Sequence, residues 1–145
     1  MISLRQYLSK KGYAPIKLNY TITNHFEIEA SINGVTGRFI VDTGASNSCL
    51  DFEAISKFKL IAEDSEVKAA GAGSNDMLTQ LSQKNSITIG KWSKKNIPLI
   101  LFDLTHVNSA LIQHNATPVD GIIGADVLQT GKAVIDYEYS NLYLK

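Results

Sequence analysis

Asp42, Thr43 and Gly44 follow three bulky apolar residues, Phe39, Ile40 and Val41, and precede Ala45 and Ser46. The pattern reads as a buried strand that stops abruptly and presents a carboxylate at its tip. Asp is depleted from strand interiors and is seldom buried without partners, so an acid here needs a reason. Two are open: an Asx-type turn, in which the side chain bonds nearby backbone, or acid–base chemistry on a substrate. Other reactive groups are few. Cys49 is the sole cysteine, and a lone cysteine among apolar neighbours reads as a small core residue rather than a nucleophile. His25, His106 and His114 fall at no spacing recognised for metal ligation, so no metal site is expected.

The elements around that acid read as short strands. Residues 2–11 have the spacing of a short amphipathic helix that Gly12 would end. Pro15 fixes an extended entry, and residues 17–23 alternate apolar with polar side chains as a strand does. Phe26, Ile28, Ala30 and Ile32 alternate with Glu27, Glu29, Ser31 and Asn33, which predicts one core face and one solvent face. Asn33-Gly34 is a two-residue hairpin signal, because both central positions of a type I′ turn need positive φ. The return strand delivers Asp42.

Beyond the turn at 44–48, Asp51 is placed to cap a short helix over 52–59, with Glu53 in its first turn. Strands are expected at 66–70 and 77–81 around the glycine-rich tip Gly71-Ala72-Gly73-Ser74-Asn75-Asp76. That tip is a free surface turn or a moving element, not a P-loop, since no helix start and lysine of that kind follow. Further strands are expected at 86–89 and 97–104, then a short helix over 104–114. Gly121-Ile122-Ile123 reads as a buried strand breaking at Gly124 into a helical turn, 125–129, and a final hairpin closes the chain over Tyr139-Ser140-Asn141. Many short strands and little helix predict an all-β class closed into a barrel-like or sandwich core. The runs 39–44 and 121–126 also echo one another, each an apolar strand before a small-residue turn.

A chain of 145 residues suits one domain with a true core. Lys plus Arg and Asp plus Glu are each 14, interspersed, which argues against nucleic acid or a polybasic membrane patch as partner. One cysteine excludes an internal disulfide and suits a reducing compartment. No apolar run approaches the roughly 20 residues that span a bilayer, and the first residues lack a signal-type apolar region, so a soluble cytoplasmic protein is expected.

Asp42-Thr43-Gly44-Ala45-Ser46 after an apolar strand, a glycine-rich hairpin downstream, Ile122-Ile123-Gly124-Ala125-Asp126-Val127-Leu128, and a closing strand with Ala133-Val134-Ile135-Asp136 occur in an order and at spacings that resemble the retropepsin-like aspartic proteases. D-T-G alone is a weak string; followed by I-I-G-x-D-x-L at this distance it is a strong one. The resemblance covers residues 17–145 and leaves 1–16 as an N-terminal extension holding the short helix. It implies a closed, barrel-like acid-protease half domain with one or two short helices and a flap hairpin.

The same resemblance implies an aspartic endopeptidase acting on peptide or protein substrates. Asp42 would be catalytic, Thr43 would fasten the two active-site loops through its hydroxyl, and Gly44 would let backbone approach the carboxylate. Ala45, Ser46 and the flap residues Gly71, Ala72 and Gly73 would bind substrate. Residues 122–128 would buttress the active-site loop. Because the chain carries one D-T-G, a homodimer is implied, with two Asp42 carboxylates activating one water and no cofactor required. The departures are specific. Retroviral members commonly carry an acid where Ser46 stands and an arginine where Ala125 stands, and the terminal strands here need not interleave as in viral enzymes. The alternative reading is a catalytically silent peptide-binding or interaction module with the same fold.

Overall fold

The computed structural model describes residues 1–64 and 78–145. The strand expected at 66–70 and the tip with Gly71, Ala72 and Gly73 lie outside the described residues, as does Met77 of the strand expected at 77–81, of whose described residues only Gln80 and Leu81 are strand. The chain begins with α1 (Leu4–Lys10), shorter than the expected 2–11. Its start is set by a capping box: Gln6 N–H donates to Ser3 Oγ at 3.1 Å and Ser3 N–H to Gln6 Oε1 at 2.9 Å. Gly12, at φ +92°, ends it as expected. The single strand expected over 17–23 is instead two, β1 (Ala14–Lys17) and β2 (Asn19–Tyr20), followed by a turn. They separate because they belong to different sheets.

β3 (Phe26–Ile32) and β4 (Val35–Val41) form the expected hairpin, with Asn33 at φ 52° and Gly34 at φ 82°. Asn33 also ties that turn across the molecule, donating through Nδ2 to the Phe58 carbonyl and to Asn85 Oδ1, both at 2.9 Å. β5 (Cys49–Asp51) then leads into a single 3-10 turn, Phe52–Ala54, rather than the helix expected over 52–59. Asp51 makes no side-chain cap there, so nothing holds the orphan amides of a longer helix. β6 (Glu63–Asp64) precedes the long pair β7 (Gln80–Ile89) and β8 (Trp92–Phe102), which replace the shorter strands expected at 86–89 and 97–104. Register shifts between Ser82 and Ile87 lengthen this hairpin by letting it bend. The chain finishes with α2 (Thr105–Gln113), β9 (Gly121–Ile123), α3 (Ala125–Thr130), β10 (Val134–Asp136) and β11 (Asn141–Leu144), close to expectation.

The larger sheet runs β2-β3-β4-β9-β5-β8-β7-β6, and β3 also pairs with β7, closing β3-β4-β9-β5-β8-β7 into a six-stranded barrel. Its interior holds Phe39, Leu50, Phe58, Ile87, Ile89, Leu99, Leu101, Ile123 and Val127, all nearly inaccessible. The all-β barrel with few short helices is therefore as the sequence predicts. The other sheet, β1-β11-β10, joins the two ends of the chain: β1 pairs antiparallel with β11 from Ala14 opposite Leu144 to Lys17 opposite Asn141. β1 thus runs across residue 16, where the sequence suggested an extension ends.

The outer face of the β3–β4 hairpin is solvent-exposed at Glu29, as its alternation predicts, but covered at its other end. Ile40 there packs with Leu111 of α2 and with Val119, and Glu27, directly opposite Ile40, is 5% exposed. Among the described residues Glu27 Oε1 has no hydrogen-bond partner, and Arg38 reaches Oε2 only at 3.9 Å. Burial pushes the Glu27 carboxyl above its ordinary value of 4.5, with Arg38 and His25 opposing. An acid whose folded-state value is raised contributes its full stability below the unfolded value, and that stability is lost as pH rises through the folded value. Glu27→Gln should therefore match the native chain below the ordinary carboxyl range and be the more stable of the two at neutral pH. Urea denaturation at several pH values checks this, and a native chain more stable than the variant at pH 7 would contradict it.

Candidate active site

β4 lies parallel to β9 with Phe39 opposite Gly121, Ile40 opposite Ile122 and Val41 opposite Ile123, so the two echoing runs stand side by side. Gly121 is required by this packing, because a Cβ there would collide with the Cys49 carbonyl oxygen and meet the Phe39 ring at 3.1 Å. Asp42 N–H donates to the Ile123 carbonyl at 3.0 Å, and the chain then leaves the sheet.

Asp42 Oδ1 accepts the Gly44 N–H at 2.8 Å, and the Ala45 N–H donates to the Asp42 carbonyl at 3.2 Å. Oδ2 accepts no hydrogen bond among the described residues, and Asp42, Thr43 and Gly44 are exposed. The Asx turn and the chemistry are therefore compatible. The turn uses one oxygen to orient the carboxylate and leaves the other open to solvent. A Cβ on Gly44 would sit 3.2 Å from that same Oδ1. The Thr43 hydroxyl makes no hydrogen bond within the described residues. Ala45 is half-buried and Ser46 exposed on the same loop.

The loop is fastened from behind by Gly124, Ala125 and Asp126, within the run 122–128 that the resemblance implied as its buttress, and by Ser48, which the sequence did not single out. Ala125 N–H donates to the Ala45 carbonyl at 2.7 Å, and Gly124 N–H donates to Ser48 Oγ at 2.8 Å. Ser48, fully buried, donates from Oγ at 2.7 Å and from N–H at 2.9 Å to Asp126 Oδ1, which also accepts the Val127 N–H at 2.8 Å. Ser48 and Asp126 thus clasp the loop after Asp42 to the junction of β9 and α3. Ser48 stands just before the apolar pair Cys49-Leu50, and a polar residue bordering such a run was the available signal for it. This clasp lies one residue beyond Ala125 and two beyond Ser46, where retroviral members commonly carry their arginine and acid.

Cys49 is buried, and burial, helped by the negative charges of Asp126 and Asp42, pushes its thiol up to about 12 against a hydrogen bond from the Ile122 backbone. It is too protonated and too inaccessible to act as a nucleophile. In the folded protein Cys49 should resist an aromatic disulfide reagent, labelling only as fast as the chain unfolds, which absorbance kinetics would follow; immediate labelling would contradict this. Among the described residues no group of three His, Cys, Asp or Glu side chains is gathered to hold a metal ion. No helix among them is long and apolar enough to cross a membrane.

A search of curated proteins finds no match. Among solved structures, the chain is similar to a retropepsin-like aspartic protease from Rickettsia conorii, at 26% identity and TM-score 0.58 over 91% of this chain and 90% of that one. It shares its fold with the EIAV protease complexed with the inhibitor HBY-793, at 21% identity and TM-score 0.60 over 81% of this chain and 98% of that one. The retroviral protease-like domain of Ddi1 from Leishmania major, at 16% identity and TM-score 0.57 over 90% and 89% of the two chains, has the same fold. The profile of the family described as aspartyl protease matches residues 28–127, from within β3 to the middle of α3, and so takes in the loop of Asp42 together with its β9–α3 buttress. With that match spanning more than half of its length, the chain belongs to the aspartyl protease family.

Proposed function

We propose that the protein is an aspartic endopeptidase whose active site forms when two copies bring their Asp42 carboxylates together across a two-fold axis. The observation that carries this reading is the Asp42 carboxylate itself, exposed at the end of a barrel strand and oriented through one oxygen by the Gly44 N–H. Two such carboxylates about 3 Å apart share one proton, since both cannot ionise at that distance. The charged one takes a proton from a water as that water attacks the scissile carbonyl; the protonated one hydrogen-bonds the developing oxyanion. Thr43, whose hydroxyl makes no hydrogen bond among the described residues, then latches the opposing loop. An extended peptide pairs with backbone near Ala45 and Ser46 and with a flap at Gly71, Ala72 and Gly73, which gives affinity with limited sequence preference. No cofactor takes part in this chemistry. We place the enzyme in the reducing cytoplasm, in keeping with its single, buried cysteine.

The test is cleavage of a peptide library at acidic and neutral pH by the native chain and by Asp42→Asn, with sedimentation run in parallel. Cleavage by the native dimer alone bears the reading out. A strict monomer that cleaves at no pH would leave a peptide-binding module of the same fold.

A further inference from the structure

A groove of about 500 Å³ lies against the outer face of the β3–β4 hairpin, between the turn after β2 and α2. Ile22, Ile40, Val107 and Leu111 give it apolar walls, and His25 and His114 line it as well. Among the described residues, none that lines it is Asp, Glu, Lys or Arg, and α2 carries no such residue along its length. The groove starts close to the candidate site, since Ile40 precedes Asp42 by two residues, about 7 Å of extended chain. The fixed charges beside it stand on the hairpin. Glu27 is directly opposite Ile40 and follows His25 by two on the same face, so it adjoins two groove-lining positions. Glu29 and Arg38, opposite one another, come next along that face. Arg38 approaches only Oε2 of Glu27, which leaves the buried Oε1 without a partner among the described residues. A buried acid with an unmet oxygen costs stability, and such local costs are found where function requires them.

We infer that Glu27 selects a lysine side chain of the substrate, whose aliphatic stem lies along Ile22, Ile40, Val107 and Leu111 and whose ammonium donates to Glu27 Oε1. The terminal torsion of a glutamate is soft, so the carboxyl turns to present that oxygen to the groove. An ammonium brings three donors and no acceptor, which suits an oxygen that lacks a donor, and a four-methylene stem suits apolar walls. A carboxylate or phosphate would face Glu27 and Glu29, two acids against the one cation of Arg38. An uncharged apolar side chain would leave Oε1 unmet. Backbone pairing near Ala45 and Ser46 carries little sequence preference; this groove supplies one. As a substrate pocket it rests on the reading of Asp42 as the catalytic acid. As a binding site it lies within one chain and does not need that reading.

Two measurements on the full chain at pH 8, where an ordinary imidazole is neutral, test this. In the first, n-butylammonium, and n-butanol as its uncharged counterpart, are titrated into methyl-labelled protein and followed by NMR. n-Butylammonium should shift the methyl resonances of Ile22, Ile40, Val107 and Leu111, and should bind the native chain about tenfold more tightly than n-butanol does and than it binds Glu27→Gln. Glu27→Gln is expected to be the more stable chain at this pH, so weaker binding by it is not unfolding. In the second, peptides identical but for lysine or norleucine are compared at each position around the scissile bond. The native chain should cleave the lysine peptide about tenfold faster at one position, and the ratio should fall to about one in Glu27→Gln. Binding of n-butanol as tight as that of n-butylammonium, equal binding by Glu27→Gln, or shifts confined to other methyl groups would overturn the site and leave the protease reading to its own test. Binding as expected with no peptide cleaved would uphold the site and overturn the protease reading alone. Cleavage that ignores lysine would overturn the part of Glu27 in substrate choice.

Discussion

Asp42→Asn should lose peptide cleavage by about 10²–10⁴-fold or more while keeping its fold, its oligomeric state and its melting temperature to within a few degrees. The loss is large because an amide can neither take the proton of the attacking water nor give one to the oxyanion. The fold is spared because Asn presents the same carbonyl oxygen to the Gly44 N–H, and because Asp42 is exposed and leaves no buried hole. Mixing the variant with native chains sharpens the test. If the site is shared, every mixed dimer is dead, and activity at a fixed amount of native chain falls as variant is added. If each chain carried its own site, dilution with variant would leave that activity unchanged. Steady-state cleavage of a fluorogenic peptide across a titration of variant decides between these, and full activity of purified Asp42→Asn would remove Asp42 from the chemistry.

Gly124→Ala is expected to damage the loop that carries Asp42. The added Cβ would lie 2.6 Å from the Ala45 carbonyl oxygen and 3.0 Å from the Asn47 carbonyl carbon and oxygen, all backbone atoms with no rotamer to relieve the clash. The loop must therefore move away from the β9–α3 junction. That strains the Ala125-to-Ala45 bond and the bond from Gly124 to Ser48. Overpacking of this kind costs about 1–3 kcal/mol, and displacing a catalytic group by about 1 Å costs on the order of 10²-fold in rate. Chemical denaturation and kcat measured on the same preparation check both halves. Wild-type stability and rate together would show that the contact between the loop and its buttress is slack.

The Asn33-Gly34 turn, the core face of β3, the end of α1 at Gly12, and the strand that stops at Asp42 were all readable from residues a few positions apart. The reason is that period, φ requirement and capping are local properties of the chain. The helix expected over 52–59 shows where local reading failed: Asp51 and Glu53 are suitable residues, but Asp51 makes no cap, and a 3-10 turn followed by hydrogen-bonded turns forms in place of a continuous helix. Two open choices in the sequence were also resolved only in three dimensions. Asp42 is an Asx turn and an exposed acid at once, and Cys49 is a core residue because β5 carries it into the barrel wall beside β9.

What the sequence determined by itself was the kind of site this protein has: one D-T-G at a strand end, an I-I-G-x-D-x-L run to support it, and an all-β frame. What tertiary structure decided were the relationships between residues far apart along the chain. Ser48 meets Asp126 across 78 positions. β1 is drawn to β11 at the other end of the chain, and Glu27 is covered because Ile40 beside it packs against α2. No local pattern encodes such pairs, since which faces meet depends on how the whole barrel closes. Among the described residues the same closure left the outer edge of β10 unpaired, in one groove with Thr43.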